Sequence, residues 1–141
     1  MERCSPADWR ALCPDEGRPV GVLAHHVAGS YASTARWAQA AAAGQAGSVP
    51  VAPSAAALDE RNARHAAQYA ECSKDEVLAM LRANGAEAEG IVRTIPDEHL
   101  GRTTTVGFLG NLPMSVRQLI EYILIGHPRS HLVSMRAVAR I

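Results

Sequence analysis

His127 and His131 stand four residues apart in the segment from Gly126 to His131. On an α-helix, positions i and i+4 lie one turn apart on the same face, so both imidazoles can reach a single atom, and that atom can be a metal ion. A second pair, His25 and His26, follows the apolar positions Val20, Val22 and Leu23 and is placed to supply a third ligand. The competing reading is structural, with these side chains as core histidines bonded to backbone groups. No Ser-His-Asp order, phosphate-binding P-loop or dinucleotide fingerprint is present to suggest another chemistry.

The elements that must hold these histidines are helical. Val116, Leu119, Ile120, Ile123, His127 and His131 recur at helical spacing and form one stripe, which predicts that the pair faces the interior near the end of a helix bundle. The helix opens at Ser115 with Gln118 three residues on, a capping box. Pro128 lies between the two histidines and has no N–H for the carbonyl of Leu124, so a bend is expected there. An earlier helix follows Pro19 and runs past His26, Tyr31 and Trp37 to near Gly44. Ser54 caps a third, from about Ala55 to Glu71, with Leu58, Asn62, His65 and Tyr69 on a shared face. Ser73 and Glu76 form the capping box of a fourth, which Pro96 ends. The stretch from Gly101 to Pro113, with its Gly110-Asn111 turn signal, reads as a loop or short hairpin. No segment alternates as a long strand would, so the class is all-α.

The two halves of the chain resemble each other. Ser5-Pro6-Ala7-Asp8-Trp9, then Arg18-Pro19, then the helix with His25 and His26, parallels Ile95-Pro96-Asp97-Glu98, then Leu112-Pro113, then the helix with His127. The long helix that precedes the second unit has no counterpart before the first.

The 141 residues, 48% of them hydrophobic, fit one domain spanning 1–141. Fourteen basic and fourteen acidic residues balance, with no basic run, which argues against nucleic acid and anionic membrane as partners. No apolar run is long enough for a membrane span, no signal peptide is legible, and the three cysteines, Cys4, Cys13 and Cys72, lack CxxC spacing. A cytoplasmic protein is expected.

Three segments carry a family resemblance: Val22 to Ala28 around His25-His26, Leu58 to Asn62, and Leu124 to Leu132 around His127 and His131. In order and spacing they resemble the DinB-like superfamily, including its mycothiol-dependent maleylpyruvate isomerase branch. The resemblance implies a four-helix-type up-down bundle, here with its first helix shortened. It also implies a divalent metal, zinc or nickel, on His26, His127 and His131. His26 matches because a hydrophobe and a small residue follow it, which leaves His25 as an alternative ligand or at the edge of the site. Three imidazoles leave one coordination position open, the arrangement of catalytic rather than structural zinc. Relatives use that position for the thiolate of mycothiol or bacillithiol, in transfer or isomerisation of a small-molecule substrate. A ligating histidine needs an acceptor on its second nitrogen, and Asn62, Glu121 and Asp59 are candidates, with His65 near the cleft. For Glu121 and Asp59 the simpler reading is solvated helix surface.

The shortened N-terminus predicts that the apolar stripes of Leu78, Leu81, Ile91, Ile120 and Ile123 need cover. Residues 1–18, a longer natural chain, or a second copy in a homodimer would provide it; DinB-like proteins are often dimers. The alternative function is a non-catalytic metal-binding or stress-response dimeric module. A third is a purely structural bundle with no metal.

Overall fold

The computed structural model describes residues 1–141. It begins with α1 (Pro6–Arg10), whose first turn is closed by a reciprocal capping box between Ser5 and Asp8. A short hairpin follows, β1 (Leu12–Cys13) paired antiparallel with β2 (Arg18–Pro19). Its tight turn is held by the N–H groups of Glu16 and Gly17, which both donate to the carbonyl of Cys13. Pro19 then leads into α2 (Val20–Ala42), the longest helix. Next come α3 (Ala55–Gln68), capped by Ser54, and α4 (Lys74–Arg93). Ser73 occupies the cap of α4 by backbone position, but its side chain makes no capping bond, so the capping box expected with Glu76 is not formed.

A second antiparallel hairpin, β3 (Thr103–Val106) with β4 (Leu112–Ser115), precedes the last helix. Gly110 and Asn111 both take the left-handed conformation in its connection (φ 69° and 62°), as the turn residues there require. The last helix opens as α5 (Val116–Gln118), with the reciprocal capping box of Ser115 and Gln118 in place. It passes through a π-helical stretch, Leu119–Gly126, and finishes as α6 (His127–Val138). The result is an all-α bundle with two small hairpins, each placed directly before a histidine-bearing helix. That placement is the structural form of the repeat between the two halves of the sequence.

The disturbance predicted at Pro128 begins earlier than the proline. The N–H of His127 donates to the carbonyl of Tyr122, five residues back, and Pro128 falls in the first turn of α6. A residue without an N–H is best tolerated in the opening turn of a helical segment.

Helix α2 is central. Against one end of it pack Cys4, Trp9, Cys13, Val77 and Met135; against the other pack Ile95, Val106, Met114, Val116 and Leu119. The N-terminal segment therefore supplies cover of its own. Cys13 is fully buried, and the indole of Trp9 donates to the carbonyl of Cys72 at 3.0 Å. The indole lies so close to α2 that a Cβ at Gly21 would come within 2.5 Å of its nitrogen. Leu78, Leu81, Ile91, Ile120 and Ile123, expected to need cover, are all half-buried. The large apolar side chains that remain exposed include Tyr122, Ile125 and Val133 on the last helix. No helix is long and apolar enough to cross a membrane.

Candidate metal centre

Two helices and a hairpin build the site. His26 comes from the second turn of α2, while His127 and His131 open α6 one turn apart. Nε2 of His26 and Nε2 of His127 are 3.2 Å apart, and Nε2 of His131 lies 2.8 Å from that of His127. One ligand atom from each of the three falls within 4.8 Å of the others. Nitrogens bound tetrahedrally at 2.0–2.1 Å from zinc stand about 3.3 Å apart, close to the 3.2 Å between His26 and His127 and somewhat wider than the 2.8 Å between His127 and His131. His131 is buried, and the other two are half-buried.

The hydrogen-bonding arithmetic also points to a cation. Nδ1 of His131 faces Oε1 of Glu16 at 2.5 Å, and the carboxylate can only accept there. A neutral His131 therefore presents a bare lone pair at Nε2. His127 can place at most one proton at its own Nε2, although it faces two ring nitrogens at once. Whatever the tautomers of His26 and His127, at least one of the two Nε2 contacts then lacks a hydrogen bond, a shortfall that a divalent ion would relieve.

Burial favours the neutral form of His26 and of His127, the form a metal ligand requires. Burial, with the neighbouring His127 and His131 adding to it, pushes His26 down to about 3. Burial and then His131 lower His127 to about 4, against a partial pull upward from Glu16. Burial alone would raise the Glu16 carboxyl, but hydrogen bonds from Arg18 and His131 outweigh it and hold it below its ordinary range.

Glu16 sits in the turn of the first hairpin, and this turn docks on α6 at two points. Besides the bond to His131, Asp15 accepts from the hydroxyl of Ser134 at 2.7 Å. Arg18, at the start of β2, completes the row with its Nη2 2.7 Å from Oε2 of Glu16. Neither Glu16 nor Arg18 stands out as a site residue in the sequence. The segment Pro14-Asp15-Glu16-Gly17 carries a turn signal, but nothing local in it says that the turn lands on a helix more than a hundred residues later.

The other candidate residues divide. Consecutive helical residues point about 100° apart, so His25 cannot share the direction of His26. Instead it turns to α3, where its Nδ1 lies 2.8 Å from Nε2 of His65 and its ring stacks on Tyr69 with centroids 3.7 Å apart. Burial depresses His25 as well, and burial followed by the influence of His25 takes His65 to about 4. His65 also meets His26 edge-on, with centroids 5.5 Å apart, so it borders the triad without joining it. Asn62 is half-buried and hydrogen-bonds to none of these histidines. Glu121 is exposed, as is Asp59, and the acceptor role considered for both belongs in this geometry to Glu16.

Among known families, the one described as mycothiol maleylpyruvate isomerase N-terminal domain matches residues 1–124. The match includes His25, His26, His65, Glu16 and Arg18 and ends three residues before His127. No curated protein and no solved structure matches the chain.

Proposed function

Since the chain belongs to the mycothiol maleylpyruvate isomerase N-terminal domain family, within the DinB-like superfamily, we propose that it is a divalent-metal protein acting on a low-molecular-weight thiol. The ligands are His26, His127 and His131, and the metal is zinc or nickel. The thiol is mycothiol or its analogue bacillithiol, and the chemistry is S-transfer to, or isomerisation of, a small-molecule substrate. The observation that carries this reading is the approach of His127 Nε2 to Nε2 of both His26 and His131, within one cluster of ligand atoms.

The residues of the chain have distinct tasks in it. His26, His127 and His131 would each offer one ring nitrogen to the metal. The chemistry a divalent ion would supply there is acidification of a bound thiol and polarisation of a carbonyl. Glu16 accepts from Nδ1 of His131, which fixes the tautomer that exposes Nε2, and Arg18 holds Glu16 in place. The charged pair beside the triad favours chemistry over simple metal storage, since a shut, wholly apolar pocket around His-only ligands would serve a storage module equally well. A homodimer belongs to the same proposal, supported by the exposed Tyr122, Ile125 and Val133 along the last helix.

The test is metal analysis of protein purified without an affinity tag, followed by cobalt substitution. We expect about one equivalent of metal per chain and the visible absorption of tetrahedral cobalt, both lost together in His127→Ala. Mycothiol should then shift the cobalt spectrum by adding a thiolate-to-metal charge-transfer band. Protein that takes up no metal would overturn the reading.

A further inference from the structure

Alone among the α-helices, α3 fully buries none of its residues. No residue of it belongs to the three apolar clusters that form the core, and Leu58 is its only large aliphatic side chain. Its one ion pair, Arg64 with Glu60, stays within the helix. A single side-chain hydrogen bond leaves it, between Nε2 of His65 and Nδ1 of His25 at 2.8 Å. Yet this weakly held helix borders the triad, since the ring of His65 meets that of His26 edge-on with centroids 5.5 Å apart.

We propose that α3 is a hinged gate over the histidine triad, latched by the contact of His65 and Tyr69 with His25, which lifts to let the thiol reach the centre and closes behind it. The inference rests on the triad being the working site of the protein, and it adds how access to that site is controlled.

Buried apolar surface is what ties an element to the stability of the whole domain, so a helix outside the core can detach at a fraction of the cost of global unfolding. The ends of α3 are fixed independently of its body. At the entry, Pro53 is seated so closely on Gly107 that a Cβ there would come within 2.6 Å of the Pro53 carbonyl oxygen, and the neighbouring Ala52 is buried. At the exit, the carbonyl of Cys72 accepts from the indole of Trp9 at 3.0 Å. Movement is thereby confined to the helix between two fixed points.

Two opposed effects at the latch set the balance. The ring of Tyr69 stacks on His25 with centroids 3.7 Å apart, which favours the closed form. In that form Nδ1 of His65 is buried without a hydrogen-bond partner, one of only two such side-chain atoms in the chain. Native proteins pair nearly all such groups, and water can pair this one once α3 lifts. The closed form thus carries a built-in penalty, as a gate that must open requires. Lifting α3 withdraws His65 from His26, while the other flank of the triad keeps the first hairpin docked on α6 through His131 and Ser134.

The test compares two rates on full-length, chelator-treated protein, both read by mass spectrometry: backbone hydrogen exchange, and acylation of His26 by diethyl pyrocarbonate, which attacks accessible neutral imidazole. In the wild type, the amides of α3 should exchange at least about 100-fold faster than those of α2 and α4. Tyr69→Ala removes the stacking half of the latch and should raise α3 exchange and His26 acylation together, each by about fivefold, with α2 exchange unchanged. Gly107→Ala alters no latch residue and displaces Pro53 instead; it should raise both rates together as well, and it keeps the test decisive if Tyr69→Ala folds poorly. Exchange of α3 as slow as that of α2, or faster α3 exchange with unchanged acylation of His26, would overturn the proposal. Zinc titration of the same samples reports on the metal reading separately. Linked rates in protein that takes up no zinc leave the gate and remove the metal, whereas zinc uptake with unlinked rates removes the gate and leaves the metal.

Discussion

Oε1 of Glu16 lies 2.5 Å from Nδ1 of His131, across 115 residues of chain, and so couples the turn of an N-terminal hairpin to the last helix at the histidine cluster. Removing such an acceptor typically costs 10–100-fold in metal affinity. Glu16→Ala, which removes the acceptor, should accordingly weaken zinc binding by about that factor in a chelator-competition titration, with the helical circular dichroism unchanged. An unaltered zinc affinity would show that the bond does not orient His131.

The triad and the neighbouring histidine pair should separate cleanly by mutation. His26→Ala, His127→Ala and His131→Ala each remove a ligand and should lower zinc affinity by about two orders of magnitude or more. His25→Ala leaves the three Nε2 atoms in place, and its effect should stay within about threefold. Comparable losses for His25→Ala and His26→Ala would move the ligand set.

The depressed histidines set a pH dependence with a definite sign. His26 titrates at about 3 and His127 at about 4 in the folded protein, against an ordinary value of 6.5. Between those limits the unfolded chain binds more protons than the folded one, so folding stability falls as pH drops from about 6.5 toward 3 and levels off below that. A tenfold loss of proton affinity on folding corresponds to about 1.4 kcal/mol, so the effect amounts to a few kcal/mol across the pair. Urea denaturation in the presence of chelator should show the midpoint falling between pH 7 and pH 5. His26→Leu should flatten the dependence, and a flat wild-type profile would contradict the burial of neutral rings.

Close packing at Gly21 gives a stability prediction independent of any ligand. Any side chain there drives Cβ into the buried indole of Trp9. Gly21→Ala should destabilise the protein by about 1–3 kcal/mol, read as a lowered urea midpoint at constant slope.

The proposed dimer predicts association through the last helix. Sedimentation velocity should give a dimer at micromolar concentration, and Val133→Asp, which charges the most exposed of its large apolar residues, should shift it to monomer. Monomeric wild-type protein would remove the dimer from the proposal and leave the metal site untouched.

The histidine helices are legible in the sequence because their signals are local. A capping box at Ser115 and Gln118, a stripe of period 3.6 and an i, i+4 pair are all properties of one segment; the box and the pair are present in the fold, whereas the stripe crosses a π-helical stretch that a period of 3.6 does not describe. The preference for His26 over His25 comes from the family pattern, and the 100° step between neighbours on α2 agrees with it. Glu16 and Arg18 escape notice because their roles arise only from tertiary contact: in sequence they are a turn residue and the residue before a proline. The cover over the N-terminal end is likewise left open, because nothing in Cys4, Trp9 and Cys13 as a sequence says that three dispersed residues of a short segment enter the core together. The missing capping bond at Ser73 shows the opposite limit, where a correct local motif is present but its geometry goes unused.

The π-helical stretch from Leu119 to Gly126 acts as a phase setting for the site. A π turn accommodates more residues than an α turn, so it delays the rotation of everything downstream. If the same residues wound as ordinary α-helix, the added rotation would swing His127 and His131 by about 100° or more around the axis relative to the buried Val116 and Leu119. All three histidines would still be present, yet two would point away from the third. The winding of this stretch can thus connect or disconnect the cluster while leaving all three histidines in the sequence, and a relative that retains all three need not retain the site.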